Sequence, residues 1–323
     1  MTIFIIEIFA ALALLILILW FVLTQPLIFS GDRATPPKAN PQTLRSHVEM
    51  LSQTLPPRID SEAALEPTVK WIVSQLQAYG SPHRQTYKIK DASFHNVLLS
   101  FGPDTQKVTV VGAHYDTADG LPGADDNASG VAGLIELARL LSTEKLTSRV
   151  ELVFYTLEEP PHYDSRNMGS YVHAESMKKA AKDVTLMMSL EMIGYFSDKP
   201  NSQHYPAPLL NLVYPSKGNF IAVVANLSNM MTTRKVKKSF RQSIDLPVYS
   251  INAPELIPGI GFSDHRNYWL MGYPAVMITD TAFARNTAYH TVNDTADRLD
   301  YEKMAQVVEA TYHTVIQQNK LNK

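Results

Sequence analysis

The chain has 323 residues, room for one membrane segment and a single large domain of about 280 residues. Twenty-nine Lys and Arg against 31 Asp and Glu leave a net charge of -2, so no basic face argues for nucleic acid, and 45% hydrophobic with 19% charged residues excludes a disordered chain. There is no cysteine, which excludes disulfides, thiol nucleophiles and cysteine-bound zinc and leaves His, Asp and Glu to hold any metal.

Residues 3–23 are almost wholly apolar, broken only by Glu7. The run is longer than the core of a cleaved signal and close to the ~20 residues that cross a bilayer. Thr24-Gln25-Pro26-Leu27-Ile28-Phe29 is too bulky for a cleavage site. The expected organisation is therefore an uncleaved transmembrane anchor over 1–24, a polar linker over 25–40 with Pro36-Pro37 inside it, and a body over 41–323. No Lys or Arg precedes the anchor and only Arg33 and Lys38 follow closely, so flanking charge barely speaks on orientation and leans slightly against export.

Helical patterns follow at Pro41–Leu55 and Ser61–Tyr79, the second opening on an Asp60-Ser61-Glu62 cap signal. Strands are expected at Arg84–Ile89, His95–Phe101 and Lys107–Ala113, then a helix at Val131–Leu141. Beyond it the pattern alternates: strand Arg149–Thr156, helix Asn167–Lys182, strand Thr185–Ile193, strand Phe220–Asn226, and a basic helix Thr232–Ser243. Strand Leu246–Asn252, short helix Asp264–Leu270, strand Pro274–Thr279 and helix Tyr301–Asn319 complete it. Such alternation implies a three-layer α/β/α domain around a mixed, mostly parallel sheet, preceded by the transmembrane helix. Phe196–Asn219, rich in Pro, Ser, Asn and Tyr, reads as a long loop near the site.

Acidic and histidine residues gather where these strands end. Val108–Ala113 delivers His114 and Asp116; a glycine-flanked loop, Pro122-Gly123-Ala124-Asp125-Asp126-Asn127-Ala128-Ser129-Gly130, comes next. Leu152–Leu157 ends in Glu158-Glu159, the apolar run Met187–Ile193 contains Glu191, and Ala288-Tyr289-His290-Thr291 precedes the last helix. Taken singly, each has a structural explanation: a hydrogen-bonded histidine, a turn or helix cap, a solvated pair. Glu191 is the exception, because a lone carboxylate in an apolar strand needs a cation or a shifted pKa. All five segments fall where an open α/β sheet points its strand ends into one crevice, which suits a divalent metal.

The order and wording of these motifs resemble the M28 family of zinc aminopeptidases over about Asn96–Asp300. The matching pieces are Gly-Ala-His-Tyr-Asp (112–116), the 122–130 loop, Glu158-Glu159 with Met168-Gly169-Ser170, Glu191-Met192-Ile193-Gly194, Ser263-Asp264-His265 and Tyr289-His290-Thr291. The resemblance implies a zinc-exopeptidase-like fold and two divalent metal ions, zinc by preference. One ion would be held by His114, Asp126 and Glu191, the other by Asp126, Glu159 and His290, with Asp126 shared and Asp125 no ligand. It makes Glu158 the general base. Asp116 would assist catalysis by orienting the His114 imidazole, and Asp264 would lie at the site rim.

The implied activity is removal of N-terminal residues from a peptide or small protein, by an enzyme anchored in the membrane with its body outside the cytoplasm, periplasmic or extracellular. Two departures stand out. Glu191 takes the place of the aspartate of many relatives, and Pro160–Ser170 is longer than their glycine-containing link. A glutaminyl cyclase-like acyltransferase and a non-catalytic, membrane-anchored binding protein on the same fold are the alternatives. The Asp126-Asn127-Ala128 wording and the undecayed ligand set speak against them.

Overall fold

A computed structural model describes residues 2–27 and 31–322. The apolar N-terminal run forms one helix, α1 (Thr2–Thr24). After it come α2 (Pro41–Glu49), α3 (Glu62–Leu76), β1 (His83–Ile89), β2 (Ala92–Phe101), β3 (Lys107–His114), α4 (Gly130–Leu141), β4 (Arg149–Tyr155), α5 (Gly169–Lys179) and β5 (Asp183–Glu191). The second half adds β6 (Ile221–Ala225), α6 (Met230–Ser243), β7 (Val248–Asn252), α7 (His265–Leu270), β8 (Ala275–Thr279) and α8 (Tyr301–Leu321). Helix starts follow capping chemistry. The side chains of Asn40, Ser61 and Asp300 accept backbone N–H groups of the first turns of α2, α3 and α8.

The eight strands form one sheet in the order β1-β2-β4-β3-β5-β8-β6-β7. Pairs β3–β4, β3–β5, β5–β8 and β6–β7 are parallel; β1–β2, β2–β4 and β6–β8 are antiparallel. β3 lies between its successors β4 and β5, so the connection from β3 runs to one side and the next, from β4, crosses back to the other. That reversal opens a crevice at the C-terminal edge of β3, where ligands of open α/β sheets bind. Helices α3, α4, α6 and α8 cover one face over the main core, which includes Val111, Leu134, Leu152, Met188, Val223 and Val308. On the other face α5 and α7 lie over Val110, Val153, Tyr155, Met187 and Tyr268. Three layers result, as the alternation predicts.

Differences from expectation are local. The helix expected over 41–55 closes as a regular α-helix at Glu49, and residues 50–54 continue in a wider turn. The strand expected to reach Ile193 stops at Glu191, because Met192 takes a left-handed backbone with φ 50°. Of the expected linker, residues 28–30 lie outside the described residues, and the rest is fixed to the domain surface. Ala34 donates to the Gln242 carbonyl at 2.8 Å, Lys38 pairs with Glu309 at 2.9 Å, and the Asn40 amide donates to Glu136 at 2.6 Å.

The close approach of β3 and the Tyr155 ring depends on Gly112, where a Cβ would overlap ring carbons. Gly112→Ala should therefore lower stability by about 1–3 kcal/mol, the usual cost of overpacking a rigid core. Denaturant unfolding measures this, and an unchanged midpoint would show that the ring yields freely.

Candidate metal centre

β3 carries His114 to the sheet edge, and the chain continues through Tyr115, whose amide still donates to the Tyr155 carbonyl at 2.9 Å. The Asp116 carboxylate accepts the backbone N–H groups of Glu158 at 3.1 Å and Glu159 at 3.0 Å, which fixes the end of β4 against the end of β3. Its Oδ1 stands 3.6 Å from His114 Nδ1, while its carbonyl oxygen is closer to that nitrogen, at 3.2 Å. Asp116 thus holds the paired glutamates at least as firmly as it holds the imidazole.

The 123–129 loop is turned inward by a set of side-chain bonds. Gly123 has φ 55°, and a Cβ there would meet the Asp126 carbonyl and the Thr117 methyl. Asp294 accepts the amides of Asp125 and Asp126 at 3.0 Å. Asn127 Nδ2 donates to the Leu190 carbonyl at 2.8 Å, and its Oδ1 accepts the amides of Gly130 and Met192 at 3.1 Å, tying the loop to the end of β5. The Asp125 carboxylate turns away from the crevice and accepts from the Gly194 amide at 3.0 Å and Asn286 at 2.9 Å.

Four side chains converge on Asp126 from these platforms. His114 Nε2 is 3.4 Å from Asp126 Oδ1 and 3.4 Å from Glu191 Oε2. His290 Nε2 is 3.1 Å from Asp126 Oδ2 and 3.3 Å from Glu159 Oε2. Candidate ligand atoms lie within 4.8 Å of one another in each of three groups: His114–Asp126–Glu191, Asp126–Glu159–His290 and His114–Glu158–Glu159. Glu158 Oε2 is more remote, 3.9 Å from His114 Nε2. Ser263 donates to Glu191 Oε2 at 2.7 Å, and Tyr289 stacks on His290 with ring centroids 3.9 Å apart.

The electrostatics are those of crowded buried acids. Burial pushes Glu158 well above the usual carboxylate range, helped by Glu191 and Glu159; burial and Asp126 push Glu159 up to about 7. Asp126 alone goes down, because hydrogen bonds from His114 and His290 overcome its burial. Glu191 and Glu158, with Asp116 and Asp126, raise His114 against its burial, and Asp126 and Glu159 raise His290 to about 10. Glu159 Oε1 is buried with no hydrogen-bond partner, an orphan that a cation would satisfy. Each cluster offers three imidazole and carboxylate residues, a donor chemistry that fits zinc, and also cobalt or manganese.

Every residue expected at the site is brought together here: His114, Asp116, Asp126, Glu158, Glu159, Glu191 and His290. Asp264 corrects an expectation. Instead of the rim it occupies the floor, wholly buried with neither oxygen hydrogen-bonded, and burial pushes it up to about 7. The longer Pro160–Ser170 loop is tied to the turn before α7, where Tyr163 donates to the Gly261 carbonyl at 3.0 Å; His162 faces Asp60 at 3.5 Å and belongs to none of the clusters.

Sequence reasoning missed Arg58 and Asp294 as supports. Arg58 is buried and donates to the carbonyls of Leu51, Tyr115 and Gly123, clamping the chain on both sides of the crevice. The signals were an arginine after Pro56-Pro57 and an Asn-Asp-Thr turn, neither distinctive alone.

The sequence model of peptidase family M28 matches residues 96–315. The uncharacterized protein YfbL of Escherichia coli (strain K12) is 44% identical over 312 residues, covering 94% of this chain and 96% of that one. A probable leucine aminopeptidase of Arthroderma otae is 25% identical over 256 residues, 73% of this chain and 62% of that one. Among solved structures, the LapA aminopeptidase of Legionella pneumophila superposes with a TM-score of 0.70 at 20% identity, over 87% of this chain and 72% of that one. Porphyromonas gingivalis glutaminyl cyclase gives 0.64 at 19% identity, over 87% and 99%. The two solved structures share the fold, and the fold alone does not separate their chemistries.

Glu159 and Asp264, raised to about 7 from an unfolded value near 4, bind more protons folded than unfolded in that interval. Their contribution to stability is full below about pH 4 and is lost as pH rises through about 7; the raised histidines act in the same direction. Chelated protein should therefore melt at a higher temperature near pH 5 than near pH 8, and added zinc should restore the loss at the higher pH. A melting temperature that climbs with pH in chelator would refute the charge-crowding account.

Proposed function

The chain belongs to peptidase family M28, and on that premise we propose that it is a two-metal aminopeptidase with Glu158 as general base. The observation that carries this reading is the division of Asp126, with Oδ1 turned to His114 and Oδ2 to His290. One carboxylate presented to two histidine-bearing clusters supports a shared ligand. His114, Asp126 and Glu191 would hold one cation, and Asp126, Glu159 and His290 the other, zinc being the first choice.

Such cations supply Lewis-acid polarisation of the scissile carbonyl and a water acidic enough to attack near neutral pH. The protein does the rest. The Glu158 carboxylate, 3.9 Å from His114 and set back from the two shared clusters, takes the proton of the attacking water and delivers it to the departing amine. Asp116 keeps Glu158 in that position through its backbone amide, and Ser263 fixes the Glu191 oxygen. Glu158 and Glu191 also supply negative charge for a substrate ammonium.

Beside Glu191 and Tyr289 lies an apolar cavity of about 150 Å³, walled by Leu210, Tyr214, Phe220, Ile251, Ile260 and Phe283 among others. It supports a substrate whose N-terminal side chain is bulky and apolar. The described chain has one helix long and apolar enough to cross a membrane, Ile5–Thr24. We take it as the anchor, with residues 25–40 leading to the 41–323 domain outside the cytoplasm.

Glu158→Gln should retain both metals by elemental analysis while turnover of a leucyl anilide falls about 10²–10⁴-fold, the usual worth of a general base. Full activity in that variant would move the base elsewhere. Asp126→Ala should weaken both sites, Glu159→Ala and His290→Ala only one. One metal per chain in the zinc-loaded parent, with pyroglutamate formed from an N-terminal glutaminyl peptide, would favour the cyclase reading instead.

A further inference from the structure

The basic helix α6 has no part in that chemistry. It carries Arg234, Lys235, Lys237, Lys238 and Arg241 and no acidic residue. Its buried Lys237 donates to the Thr24 carbonyl at 2.7 Å and the Gln25 carbonyl at 3.3 Å. Arg234 donates to the Pro26 carbonyl at 2.6 Å, with its guanidinium 5.5 Å above the Phe21 ring. Ser250 of β7 adds a 2.7 Å bond to the Thr24 carbonyl. These donors satisfy carbonyls that the end of a helix leaves open, and they lash the last turn of α1 to the domain.

The pairing also fixes direction. Phe21 meets Arg234, which also reaches the Pro26 carbonyl, Thr24 meets Lys237, and farther on Ala34 meets Gln242, so residues 21–34 pass along α6 in its own N-to-C sense. The start of α6 therefore lies on the side toward which the exposed, apolar α1 projects. On that side Leu227 and Met231 are exposed, Met231 by 66%. The turn Pro208–Leu212 exposes Leu209 by 74% and Leu212 by 83%, and it is tied to the end of α1 through Ser250, whose carbonyl accepts from Tyr214 and whose hydroxyl donates to the Thr24 carbonyl. Behind Met231, at i+4 and i+7 along the same stripe of α6, stand the exposed Lys235 and Lys238. Apolar tips followed at helical spacing by cations match the order of a bilayer surface, acyl chains first and anionic phosphates next.

We propose that the domain rests on its own bilayer, with Leu209, Leu212, Leu227 and Met231 dipped into the acyl region and Lys235 and Lys238 against anionic phospholipid headgroups. This rests on α1 spanning the membrane and is independent of the peptidase reading. It also brings the Leu210–Tyr214 wall of the apolar cavity to the lipid surface.

The absence of cysteine allows single labels in the full chain, reconstituted in nanodiscs of phosphatidylcholine with or without phosphatidylglycerol. Fluorophores on Met231→Cys and Leu212→Cys should resist a water-soluble quencher as a Leu15→Cys label does, while one on Lys90→Cys, in the exposed β1–β2 turn, is quenched. Lys235→Glu with Lys238→Glu, or high salt, should raise quenching at position 231 several-fold in the anionic discs, with the melting temperature unchanged. Labels at 231 and 212 quenched as readily as at 90 would overturn the proposal. Shielding indifferent to lipid charge and to the reversals would overturn the headgroup contact. A quenched label at position 15 would remove the anchor on which the proposal stands, without touching the metal centre.

Discussion

The crevice at the end of β3 holds more negative charge than a protein interior tolerates uncompensated. Asp116, Asp126, Glu158, Glu159, Glu191 and Asp264 are all buried, against two imidazoles and the Arg58 guanidinium. Without a further cation the acids retain protons, as the upward displacement of Glu158, Glu159, Glu191 and Asp264 records. A bound divalent ion reverses that logic and makes the ionised form the stable one. The surrounding structure is therefore balanced for cations, and folding stability and cation binding become a single equilibrium.

The scaffold accepts local strain to reach this arrangement. Leu157, Met192 and His290 all have positive φ, and each sits at or next to a residue of the clusters. Non-glycine residues in that region cost of order 1–3 kcal/mol each and persist only where neighbours over-determine them. Here the neighbours are identifiable: Asp116 holds the amides after Leu157, Asn127 holds the Met192 amide, and Tyr289 packs on the His290 ring. Strand order does the coarse placement, because β3 separates β4 from β5 and brings three chain segments to one edge. The bonds around Asp126 do the fine placement.

Much of this was legible in the chain. The Val108–Val111 run and the apolar stretch around Glu191 read as buried strands because β-branched and apolar residues cluster without a helical period. Acidic and histidine residues at five strand or loop ends could be assigned to one crevice before any contact was known. What escaped was whatever depends on a partner distant in sequence. Arg58 sits beside two prolines and reads as a solvated loop residue, yet its partners are carbonyls of Tyr115 and Gly123. Asp264 reads from its motif as a residue of the site rim, and only the packing of α7 on β5 and β8 submerges it. The 31–40 segment has a linker's composition, but Lys38 and Asn40 find Glu309 and Glu136 far along the chain. The end of β5 was missed because nothing in Met192-Ile193 announces a left-handed turn.

The two halves of the crevice also differ in when they come into being during synthesis. His114, Asp126 and Glu191 are all present once β5 has been made, and Asn127 already links the loop to that strand. His290, and the Asp294 carboxylate that holds the amides of Asp125 and Asp126, come about a hundred residues later, beyond β8, the strand that pairs with β5. A nascent chain thus carries one group of candidate ligands for a long interval before the residues of the other are all made. By the order of the chain, the crevice can be complete only once all eight strands have been made.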